Sequence, residues 1–192
     1  MSRTIRAAAV AVTVSLLLAA FSCGGRGGWV DILPDRYIPN LPGELRAYQG
    51  YPVYLTTVTN AAPETERDYY FYNADGSVVY EADGTLTVFV HDSFAKAFTQ
   101  LGMNVILDPV PPLDPGIPEL QLTVTRWTDS ALYVQVLVNK MMRQVYQQEY
   151  RVEVPAPPGT DSKTLEDAVY RKIDMALTGM LADQGFQTAF FQ

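Results

Sequence analysis

The stretch from Leu120 to Val154 constrains this chain most, because its hydrophobic residues recur with a period near two. Leu120, Leu122 and Val124 fall on one face of an extended run and Gln121, Thr123 and Thr125 on the other, as in a sheet with one packed and one wet side. Thr128, Asp129 and Ser130 supply a turn, and Leu132, Val134, Val136 and Val138 repeat the alternation with residues that favour pleated strand over helix. After Asn139 and Lys140 two readings are open. Met142, Val145, Tyr146 and Glu149 fit a helix, whereas Tyr146, Tyr150, Val152 and Val154 share one strand face, and the segment ends at a proline. The strand is the expected form. An antiparallel meander of this kind has one apolar face and needs at least one amphipathic helix over it.

Two helices flank the meander. The first runs over Thr85 to Leu101, with Leu86, Val90, Phe94, Ala97, Phe98 and Leu101 at helical spacing and Gly102 where a terminating glycine belongs. Its front half is rich in β-formers, so a start at Asp92 or Ser93 is the alternative. Met103 to Leu107 then reads as a strand, and with Tyr51 to Thr59 as the first strand the order suits a crossover. The second helix begins at Asp161 or Ser162, carries an apolar stripe from Leu165 to Leu181, and is expected to end at Gly185. Glu166, Asp167, Arg171 and Lys172 read as its ordinary solvated face. Phe186 to Phe191 is either a last short strand or a tail on the core. The expected fold is α+β, a small, mostly antiparallel sheet covered by two helices.

The chain opens with Arg3 and Arg6, then an uncharged run from Ala7 to Ser22, the layout of a secretory signal too short to span a bilayer comfortably. The only cysteine, Cys23, follows at once, and Ala19-Ala20-Phe21-Ser22-Cys23-Gly24 looks like a bacterial lipobox in which Cys23 becomes the lipidated first residue. Ala20 stands where the usual leucine would be. Cleavage after Ala20, leaving Cys23 as a free thiol, is the rival reading, against which a lone exported cysteine has no disulfide partner. Gly24, not an aspartate, follows the cysteine, and by resemblance to proteobacterial lipoproteins this implies sorting to the outer membrane, facing the periplasm. Several acyl chains on one residue anchor stably without a transmembrane helix. The expected organisation is a signal peptide over 1–22, the lipidated cysteine with a Pro/Gly-rich tether over 23–50, and one α+β domain over 51–192.

Removing residues 1–22 takes away two arginines and no acid, moving the formal charge from −7 to −9. An acidic chain lacks the concentrated basic face that nucleic acid requires, so the expected partners are the membrane, through Cys23, and an envelope protein. Tyr69-Tyr70-Phe71-Tyr72, closed by Asn73-Ala74-Asp75-Gly76, reads as a hairpin whose aromatics either alternate between core and solvent or offer a partner-binding surface.

No reaction chemistry emerges. His91, Asp92 and Ser93 are adjacent, so on a helix they point in different directions and do not themselves form a triad. With one histidine and one cysteine the chain presents no clustered ligand spacing for a metal, and no strand-to-helix glycine loop for a phosphate. Neither enzyme activity nor a cofactor is expected. A small hydrolase using His91 is the alternative from another class.

The order of elements adds a resemblance. An exported cysteine, a proline-rich tether, a strand, the helix DSFAKAFTQLGMNVI, a loop, the strand ELQLTVTRW, a strand pair and a C-terminal helix resemble the YajG-type and ABC-transport auxiliary lipoproteins of Gram-negative envelopes, over about Pro52 to Gly185. The resemblance implies a domain similar to the N-terminal domain of TolB and an accessory or adaptor role in envelope transport or assembly. A structural or peptidoglycan-associated lipoprotein is the alternative.

Overall fold

A computed structural model describes residues 30–63, 80–82, 86–107, 109–128, 130–155 and 162–192. Seven strands lie among them: β1 (Val30–Ile32), β2 (Pro52–Asn60), β3 (Tyr80–Ala82), β4 (Asn104–Leu107), β5 (Glu119–Trp127), β6 (Ala131–Lys140) and β7 (Arg143–Glu153). Three α-helices accompany them: α1 (Leu86–Gln100), α2 (Ser162–Ala182) and α3 (Gln184–Phe191). β1 and β3 form a separate parallel pair, and the other five strands make one sheet in the order β4-β2-β5-β6-β7. β2 is parallel to both β4 and β5, while β5, β6 and β7 form the antiparallel meander read from the sequence. The fold class is α+β, as expected.

The alternation in the sequence becomes the core. Leu120, Leu122 and Val124 of β5 and Leu132, Val134, Val136 and Val138 of β6 are all buried against the helices. Each such side chain is worth about 1.5–3 kcal/mol when fully removed from water. α1 packs on β2 and β4 and begins at Leu86, so its β-rich front half is helical. Leu86, Phe89, Val90, Ser93, Phe94, Ala97 and Phe98 are its buried residues, and that three-and-four spacing overrides the local strand preference of Val88 to Val90. Gly102, with φ +80°, terminates it in a double hydrogen bond: Met103 N donates to Phe98 O (3.0 Å) and Gly102 N to Thr99 O (3.0 Å).

Four expectations change. The tether over 23–50 gives way to packed structure: from Ile32 onward, Ile32, Tyr37, Leu45 and Tyr48 are buried in the same core as the sheet. Tyr37 donates to Asp174 Oδ1 (2.6 Å) and Tyr48 to Leu181 O (2.8 Å), so aromatic hydroxyls stitch this proline-rich run to α2. Lys172 does not sit on a solvated face. It is fully buried, its Nζ lies 4.7 Å over the Trp127 ring and it donates to Thr128 O, which satisfies an ammonium beside an aromatic face. The second helix ends at Ala182 rather than Gly185, and the last residues pack on the core, one of the two readings open for them, but as a helix. Asp183 caps a new helix there, its Oδ1 accepting from Phe186 N (2.9 Å), and Phe186 and Phe190 are buried on one face of α3.

Candidate binding site at the methionine turn

Met141 and Met142 join β6 to β7, and both take left-handed backbone angles, φ 52° and 60°. The two-residue hairpin connection that matches strand twist needs positive φ at both positions, which Asn and Gly supply most readily. Ordinary side chains there lose roughly 1–2 kcal/mol per residue against right-handed backbone. Neither methionine packs in the core: Met141 is 61% exposed and Met142 93%. Two flexible, polarizable side chains are therefore held out at the tip of the longest hairpin in the sheet.

The turn is fixed on one side by the proline-rich loop between β4 and β5. Met141 N donates to Pro115 O (2.8 Å), Asp114 N donates to Tyr54 Oη (3.1 Å), and Gly116 N donates to Asp114 Oδ1 (2.9 Å). Between loop and turn lies a hollow of about 330 Å³ lined by Tyr54, Pro112, Leu113, Ile117 and Met142. On the other side, a cleft of about 650 Å³ separates the start of β7 from α3, with Lys140, Met141, Arg143, Val145 and Tyr146 facing Gln184, Thr188 and Ala189. Tyr146 meets the Phe186 ring edge-on (5.7 Å, 80°) and shares a 2.5 Å hydrogen bond with Tyr150 Oη. Burial raises the pKa of the Tyr146 hydroxyl, the nearby Asp183 charge adds to this, and the bond to Tyr150 opposes it. The phenol therefore stays neutral across the ordinary pH range.

α3 approaches Tyr146 closely because residue 185 is a glycine. A Cβ there would lie 3.0 Å from Asp183 Oδ1 and 3.1 Å from the Tyr146 ring, inside normal contact. Lys140 Nζ donates to Phe190 O (3.3 Å), placing a cation at the C-terminal end of α3. The cleft thus combines an aromatic floor, amide and hydroxyl groups, and Lys140 and Arg143 as cations. Such a set offers packing and hydrogen bonding, and its chemistry suits an apolar segment carrying an acid.

Cys23 and the run Tyr69, Tyr70, Phe71 and Tyr72 lie outside the described residues. His91 and Asp92 bond to each other (Nδ1 to Oδ1, 2.9 Å), while Ser93 is buried on the core face of α1 with no hydrogen-bond partner for its Oγ. The tripeptide therefore does not assemble a nucleophile and base. Among the described residues no group of three or more His, Cys, Asp or Glu is placed to hold a metal ion, and no helix is long and apolar enough to cross a membrane. The methionine turn escaped the sequence reading, although one signal was present: two large apolar residues between Lys140 and Arg143, where a hairpin tip is normally polar.

Solved structures supply the comparison. Protein XCC0632 from Xanthomonas campestris, assigned to the family model DUF330, superposes with a TM-score of 0.59 at 12% identity, covering 79% of this chain and 92% of its own. The chain has the fold of a DUF330 protein. A second structure, of an uncharacterized protein, matches with a TM-score of 0.52 at 12% identity, covering 80% of this chain and 97% of the other. No family model matches the sequence, and no curated protein sequence matches it.

Proposed function

We propose that this protein is a lipid-anchored lipoprotein of the outer membrane, facing the periplasm, that works without catalysis as an accessory or adaptor in envelope transport or assembly. One observation carries the reading: Met141 and Met142 hold an unfavourable left-handed backbone while presenting exposed apolar side chains beside a 650 Å³ cleft. Backbone strain that does nothing for the core is a mark of a surface kept for contact. An exposed methionine pair adapts its shape to a partner, as at other adaptable binding surfaces. The signal-like start, Cys23 and the resemblance of the element order to YajG-type and ABC-transport auxiliary lipoproteins support the address and the role, and the shared fold with a DUF330 protein is compatible with both.

Two measurements test this. Mass spectrometry of protein purified from membranes is expected to find acyl chains on Cys23, and Cys23→Ser is expected to move the protein to the soluble fraction. An unmodified N-terminus refutes the anchor. A photoreactive residue at position 142 is expected to cross-link in intact cells to a transport or assembly component of the envelope; cross-links distributed as they are from an exposed control position on α2 refute the docking role.

A further inference from the structure

The two edges of the five-stranded sheet are treated unequally. β4, one edge, is four residues long and runs on into Pro109, Pro111 and Pro112, which have no N–H to offer another strand. β7, the other edge, is eleven residues long, and among the described residues it pairs only with β6. It contains no proline or lysine, and the guards it does carry are four charged residues and one irregularity at the turn end. Its Arg143, Glu149, Arg151 and Glu153 balance to zero within a chain of net charge −7, so two β7 strands meet without the repulsion that the rest of the surface imposes.

We infer that β7 is a homodimer edge: two copies of this chain pair their β7 strands antiparallel about a two-fold axis at Tyr150, joining the sheets into one of ten strands. The side chains restrict the register to centres at even positions, and the bulge in the hairpin and the length of the ladder select among these. Antiparallel partners share a face, so a two-fold axis through a residue sets position 150 minus n opposite 150 plus n. Centred on Tyr150, Glu149 of each copy lies opposite Arg151 of the other, and Gln147 opposite Glu153. Within one chain Arg151 Nε already reaches Glu149 Oε2 at 2.6 Å, so the axis is ringed by two acids and two bases in alternation. Odd centres bring like charges together: Gln147 sets Arg143 against Arg151, and Glu149 sets that acid against itself. Of the even centres, Tyr146 and Gln148 pair through the irregular turn end of the hairpin, and Val152 leaves a shorter ladder. The pairing of residues 147–153 also avoids the β6–β7 register shift between Val138 and Asn139 at the turn end of the hairpin.

A second observation lies above the strand. On α2, Met175 is 41% exposed, and Gly179 is exposed and placed so that an added Cβ would lie 3.7 Å from the Tyr150 ring. Ala182 continues this exposed stripe. A two-fold axis at Tyr150 brings the α2 helices of the two copies side by side along it, where small residues permit close approach and Met175 loses its water.

The test uses the full chain in detergent, with protein mass measured by light scattering. Wild type is expected at the mass of two copies. Glu149→Arg sets arginine against arginine and Arg151→Glu sets acid against acid, so each variant alone is expected to fall twofold, to one copy. An equimolar mixture of the two restores opposite charges at both contacts and is expected to return to two copies. Hydrogen exchange of wild type is expected to slow over residues 147–153 as concentration rises, a readout independent of whether the variants fold. A wild-type mass of one copy, including one that instead captures a strand from another protein, overturns the proposal. So does either variant keeping the wild-type mass, or exchange that is independent of concentration.

Discussion

The two turns of the meander solve the same problem with opposite chemistry. Between β5 and β6, Thr128 closes the connection with its own groups: its N donates to Ala131 O (2.9 Å), its Oγ1 accepts from Ala131 N (3.0 Å), and its carbonyl receives the buried Lys172. Every one of those contacts faces inward, and the result is a turn that stabilises the fold. Between β6 and β7, two methionines occupy left-handed positions and face outward. The first turn is chemically conventional and offers a partner little. The second accepts a less favourable backbone and gains adaptable apolar surface, so the two ends of β6 divide between holding the fold and offering a surface.

Alkali should erase the contrast by unfolding the domain that carries both turns. Burial, reinforced by Asp174, raises Tyr37; burial, reinforced by Glu166, raises Tyr170; and burial raises Tyr48 and Tyr150. A phenol whose folded pKa lies above its unfolded value of about 10 contributes stability that is present below that pH and lost as pH climbs through the folded value. Cooperative unfolding coincident with tyrosinate absorbance is expected above pH about 10; ionisation in separate steps with no loss of circular dichroism would contradict it. Next in size is Phe190→Ala, which removes a fully buried ring from α3 beneath the cleft and is expected to lose about 3–5 kcal/mol in urea denaturation. Replacing Met141-Met142 by Asn-Gly sharpens the contrast most directly. Stability is expected to rise by about 2 kcal/mol while partner cross-linking from the turn disappears. Smallest is Thr128→Val, which removes the inward hydrogen bond to Ala131 and is expected to lose about 1 kcal/mol without altering cross-linking.

The meander was legible because strand alternation is written residue by residue, and α2 because its apolar stripe is long and regular. Gly102 also announced its role, since few residues other than glycine reach φ +80° without strain. Other features left no such trace. The prolines at 34, 39 and 42 suggested extended chain, yet Tyr37 and Tyr48 lie between and beyond them and find hydroxyl partners more than a hundred residues away, a pairing that local composition does not encode. Lys172 looked solvated because its helical neighbours Arg171 and Glu166 are polar; only the position of Trp127 across the sheet explains its burial. Gly185 looked like a stop, but Asp183 two residues earlier starts a new helix. β1 and β3 are three residues each, too short to display any period.

The seam between the N-terminal run and α2 has a mechanical consequence. Tyr170 donates to Leu33 O (2.7 Å), Tyr37 to Asp174 and Tyr48 to Leu181, so the run from Leu33 to Tyr48 is zipped along one helix. A load on the N-terminal run is therefore passed to α2 through three phenol hydroxyls, across more than a hundred residues of intervening chain.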